Sequence, residues 1–81
     1  GMLASVFPNP FEHVLHVALP ENGASSASIR ITNAGGHVVY TGRFVNSYGN
    51  IRLDLPELGA GVYFLRLSME GAESVYKIIR K

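Results

Sequence analysis

The chain contains no cysteine, and none of its apolar runs approaches the roughly 20 residues that cross a bilayer as a helix. The first absence excludes disulfide and thiolate-zinc staples, so a domain of 81 residues must be held by packing alone, and its redox compartment stays open. The second points to a soluble domain. Charge of one sign is missing too: seven basic and six acidic residues give a formal net charge of +1, too even a mixture to draw in DNA or an acidic membrane by field alone. No basic stretch leading into a long apolar region follows Gly1-Met2-Leu3-Ala4-Ser5, so no secretory signal peptide is expected at this start. Gly1 ahead of Met2 reads as a cloning remnant, and residues 2–81 as one domain cut from a longer protein.

Apolar residues make up 47% of the chain, enough for one core, and their spacing is that of strands. In His13 to Leu19, Leu15, Val17 and Leu19 share a face; in Ala27 to Thr32, Ala27, Ile29 and Ile31 alternate with Ser28, Arg30 and Thr32. Asn33-Ala34-Gly35-Gly36 offers side-chain capping and two residues free to take positive φ, predicting a hairpin into His37 to Phe44. Ile51, Leu53 and Leu55 alternate with Arg52 and Asp54, and Val62 to Ser68 predicts a strand buried on much of both faces. After a turn at Gly71, Ser74 to Arg80 sets Val75, Lys77 and Ile79 against Tyr76, Ile78 and Arg80. Turns are expected at 20–23, 47–50 and 56–61, and no window shows helical spacing. The pattern predicts an all-β, immunoglobulin-like antiparallel β-sandwich of about seven short strands, with a small barrel as the alternative.

Little in the chain is arranged for chemistry, and no cofactor is expected. His13 and His16 are spaced so that on one strand they point to opposite faces, which defeats joint metal ligation. No nucleophile elbow surrounds a serine that Asp54 and a histidine would complete, and the glutamates lie mostly beside turns. The loops 33–36 and 58–61 open no helix, so they do not cradle phosphate. Tyr40, Phe44, Tyr48 and Tyr63 with Arg30, Arg43 and Arg52 are the only nucleic-acid candidates, and aromatic strand residues are more often core. No nucleic-acid partner is expected.

Three segments taken in order are more specific. They are Val6-Phe7-Pro8-Asn9-Pro10-Phe11 leading to Leu15 and Val17; Ile29 through the Asn33–Gly36 turn to Val39; and Leu58-Gly59-Ala60-Gly61-Val62-Tyr63 onward to Lys77-Ile78-Ile79-Arg80-Lys81. Together they resemble the C-terminal sorting domain (type A) of the type IX (Por) secretion system of Bacteroidetes, with Asn33 where that family usually has aspartate. The resemblance implies a non-catalytic address at the end of a larger cargo protein, exported through the periplasm to the outer-membrane surface or beyond. Its implied partners are the N-terminal cargo domain, the outer-membrane secretion machinery and a sortase-like cysteine protease that removes the domain, often joining the cargo to anionic lipopolysaccharide. The residues expected to carry recognition are Pro8, Asn9, Pro10, Gly35, Gly59, Gly61, Tyr63, Lys77, Arg80 and Lys81.

One expected mechanism has the edge of the last strand add to a partner's sheet while Lys77, Arg80 and Lys81 supply charge; the alternative is that these cations only keep an edge strand soluble. Two other roles stay open. An accessory carbohydrate or protein-binding module requires exposed aromatics, for which Tyr40, Tyr48 and Tyr76 are the candidates, and a spacer packed on a neighbouring domain requires a large apolar patch.

Overall fold

A computed structural model describes residues 4–20, 24–47 and 49–81. Gly1, Met2, Tyr48 and most of the turn expected at 20–23 lie outside them. The described residues form seven strands: β1 Ser5–Phe7, β2 Val14–Ala18, β3 Ala24–Asn33, β4 Val38–Ser47, β5 Asn50–Asp54, β6 Gly61–Met69 and β7 Ala72–Arg80. They form two antiparallel sheets, ordered β1-β2-β5 and β4-β3-β6-β7. The fourth strand thus pairs with the third, whereas in constant-type immunoglobulin domains it completes the sheet of the first two and the fifth.

Alternation places the core between the sheets. Leu15 and Val17 of β2 and Ile51 and Leu53 of β5 face Ala27, Ile29 and Ile31 of β3, Leu65 and Leu67 of β6 and Ile78 of β7; all are buried. Each large side chain among them contributes about 1.5–3 kcal/mol by leaving water, and Phe11, in the connection between β1 and β2, is buried with them. Inward-facing Gly42 keeps a place for the Tyr40 ring, because a Cβ there would collide with the Tyr40 hydroxyl and press on Phe44.

The six strands read from the sequence are all present, with moved ends: β3 begins three residues before Ala27 and β7 two before Ser74, whereas β2 is one residue shorter at each end than the expected His13 to Leu19. β1 is an addition. Its three residues are too few for a periodic signal, yet Val6 opposes Val17, and Phe7 opposes His16 and stacks on its ring with centroids 5.4 Å apart. The expectation that β6 is buried on both faces is corrected. Tyr63, Leu65 and Leu67 point into the core, whereas Phe64 and Arg66 are exposed, because no layer covers the outer face of this sheet among the described residues.

Candidate functional site

The segment from Pro8 to Phe11 crosses from one sheet to the other and lies along the outer edge of β7. Proline has no N–H to give a ladder, so with Pro8 and Pro10 on either side Asn9 joins no sheet through its main chain, and its side chain takes that part. Both proline peptide bonds are cis. The Asn9 carboxamide donates from Nδ2 to the Lys77 carbonyl (2.9 Å) and accepts at Oδ1 from the Ile79 N–H (2.9 Å). One residue beyond Pro10, the Phe11 N–H donates to the Ile79 carbonyl (2.8 Å), and the Lys81 N–H donates to the Phe11 carbonyl (2.9 Å). A side-chain amide and a one-residue parallel bridge to Arg80 thus stand in for a further strand. Phe11 anchors this strap with a fully buried ring.

Main-chain groups alternate sides along a strand. Those of Lys77, Ile79 and Lys81 point away from β6, as do those of Val75 and Glu73 by the same alternation. The edge expected to be open for strand addition is therefore closed over its C-terminal half. It remains open at Glu73 and Val75, whose outward groups have no partner among the described residues.

The turn motifs gather at the same end. The Tyr63 hydroxyl donates to the Gly59 carbonyl at 2.7 Å, four residues upstream, which is the tyrosine-corner arrangement of immunoglobulin-like sandwiches. Gly61, opposite Arg80, has φ 148°, a conformation that disfavours a side chain. In the β3–β4 turn the Asn33 Oδ1 accepts from the N–H groups of Gly35 (3.0 Å) and His37 (2.9 Å), so asparagine does the capping expected of it. Of the two glycines expected at positive φ, only Gly36 takes it. Asn33 opposes Tyr63, and Tyr63 opposes Ile78, which sets this turn two strand spacings, roughly 10 Å, from β7.

The three cations at the end of the chain do not form one patch. Lys77 is exposed on the outer face of the four-stranded sheet, opposite Phe64. Arg80 is half-buried on the opposite side of β7; its Nε has no partner among the described residues, and its Nη1 donates to the Lys81 carbonyl. Lys81 is exposed and reaches Glu12 at 3.9 Å.

The family model for the secretion system C-terminal sorting domain matches residues 5–81, which run from the first residue of β1 through the strap and sandwich to the last residue. The chain belongs to this family. No curated protein matches it. Domains of this family serve type IX secretion and are signals rather than catalysts, which assigns this one to export to the cell surface or the extracellular space.

In the sorting domain, two of the three candidates for a sugar-stacking surface face inward. Tyr40 packs against the core, where burial raises its phenol above the ordinary value, and Tyr76 is half-buried with its hydroxyl donating to the Ala4 carbonyl (3.4 Å). Phe44 packs on the core as well, Tyr63 belongs to it, and Arg52 lies on the other sheet from Arg30 and Arg43, so the nucleic-acid candidates do not share a surface. His13 lies ahead of β2, exposed, and His16 is stacked under Phe7. Phe11 closes the motif segment but was not among the residues expected to carry recognition, which include Pro8, Asn9 and Pro10. An aromatic beside a Pro-Asn-Pro segment was the only available signal for it.

Proposed function

We propose that residues 5–81 act as a folded sorting signal: the secretion machinery reads the closed sandwich, and a sortase-like protease then separates it from a cargo domain on its N-terminal side. The observation that carries this reading is the family match over the same residues that the strap ties into one unit. Asn9 joins the entry of the domain to β7 across 70 residues of sequence, so the expected recognition residues depend on the whole fold for their positions. Pro8, Asn9, Pro10, Gly59, Gly61, Tyr63 and Lys77 act in this reading by holding the signal's shape, as Gly35 does at its own turn. Arg80 and Lys81 act at the seam where the strap meets the last strand.

A reporter carrying a signal peptide at its N-terminus and residues 4–81 at its C-terminus, expressed in a host with a type IX system, tests this. Reporter in the medium or on the surface is the expected result; retention in the periplasm contradicts it. Exported reporter is expected to lack the domain, and exported reporter that still carries it contradicts the protease step while leaving the sorting role in place.

A further inference from the structure

The outer face of the four-stranded sheet carries two features that work against the stability of an isolated domain. The first is a pair of like charges. Arg30 on β3 lies directly opposite Arg66 on β6, at the spacing where cross-strand neighbours interact and like charges repel. Arg43 adds a third guanidinium across from Ser28. Glu73 pairs with Arg66 at 3.5 Å. These side chains, with Ser28 and Thr41, line a shallow hollow of about 430 Å³.

The second feature is apolar. Val38 (53% exposed), Phe64 (39%), Val75 (55%) and Ile79 (39%) share this face. Register makes them neighbours of the arginines: Arg66 opposes Val75, Thr32 lies between Val38 and Phe64, and Val62 opposes Ile79. A second hollow, of about 180 Å³, is lined by Val38, Phe64, Val75 and Thr32, and Arg30 and Arg66 line both. The outer face of the three-stranded sheet differs, since its Arg52 and Asp54 balance in charge.

We propose that this face docks a protein segment that presents carboxylates beside apolar side chains. Charge complementarity selects the carboxylates, because the three guanidinium groups lining the hollow have one carboxylate among them, Glu73, which pairs with Arg66. The apolar half selects a protein over an anionic polymer, which would leave Phe64 and Val75 in water. A residue two positions along a strand is about 6.6 Å away, so an apolar group set on Phe64 brings its flanking carboxylate to Arg66. The proposal deepens the sorting reading and rests on it: the docked segment belongs to the secretion machinery.

The test uses the exported reporter with two unrelated cargo proteins and two double variants, Arg30→Ser/Arg66→Ser and Phe64→Ser/Val75→Ser. The arginine variant is expected to melt no lower than the native domain, since it relieves a like-charge pair and gives up only an exposed ion pair. The apolar variant gives up the covered part of the Phe64 ring, which is 39% exposed, and is expected to melt slightly lower while staying folded. Each is expected to cut export about tenfold, the loss of a hot spot in an interface, for either cargo. Failure of the native fusion to leave the cell overturns the sorting reading and this proposal with it. Native export with both variants exported equally well overturns the docking face alone. Loss confined to the arginine variant assigns the face to an anionic polymer, and loss confined to the apolar variant removes the carboxylates; each overturns the proposal as stated. An effect seen with only one cargo means that the cargo itself covers the face, which also overturns it. A variant that does not stay folded at the growth temperature is replaced by Arg30→Lys/Arg66→Gln or Phe64→Thr/Val75→Thr and judged by the same outcomes.

Discussion

The two halves of the outer edge of β7 share one strand, one register and one neighbour, yet they meet different surroundings. The Lys77 C=O, the Ile79 N–H and C=O and the Lys81 N–H are taken by Asn9 and Phe11, while the outward groups of Glu73 and Val75 have no partner among the described residues. The difference comes from a short strap and not from the strand. A carboxamide carries a donor group and an acceptor side by side, as a peptide unit does, so a single asparagine held between prolines covers a stretch of edge that would otherwise invite another chain. The covered half belongs to the seam where the family's motif residues sit. The open half borders the basic hollow of the outer face through Glu73.

Phe11→Ala attacks the covered half most strongly. Removing a fully buried ring leaves a cavity under the strap, and the expected loss is about 3–5 kcal/mol in urea unfolding, a large share of what a domain of this size possesses. Asn9→Ala makes the covered half resemble the open one. Two bonds to main-chain groups are lost, but water reaches the site, so the expected loss is about 1–2 kcal/mol by the same measurement. Val75→Pro probes the open half. It deletes an outward N–H that bonds to nothing among the described residues, and it is expected to cost about 1 kcal/mol or less, because an edge strand tolerates a proline whose N–H side faces solvent. A loss from Val75→Pro that exceeds the loss from Asn9→Ala would erase the distinction between the halves.

Much of the fold was legible because strand alternation and turn chemistry are local. Leu15 with Val17, and Ile29 with Ile31, announce their faces by spacing alone, and Asn33 announces its cap. Phe64 and Arg66 were misjudged for the same reason. An apolar residue on a strand declares its strand, but which face is covered depends on the other sheet. The strap was visible as a motif and hidden as a device, since Asn9 finds its partners 68 and 70 residues away. The basic face was hidden likewise: Arg30 and Arg66 meet only through the register of β3 with β6, while Arg80, within the basic motif, is half-buried and turned from Lys77. Membership of the family was readable because motif order survives without coordinates.

The central claim is that Asn9 closes the C-terminal half of this edge, and amide hydrogen exchange of the isolated domain tests it most directly. The Ile79 N–H has Asn9 Oδ1 as its acceptor, and the Val75 N–H, four residues earlier on the same side of the strand, has none among the described residues. The account predicts that the Ile79 amide exchanges about a hundredfold more slowly than that of Val75 after correction for intrinsic rates, and that Asn9→Ala removes most of that gap. Equal exchange at the two amides in the native domain would contradict it.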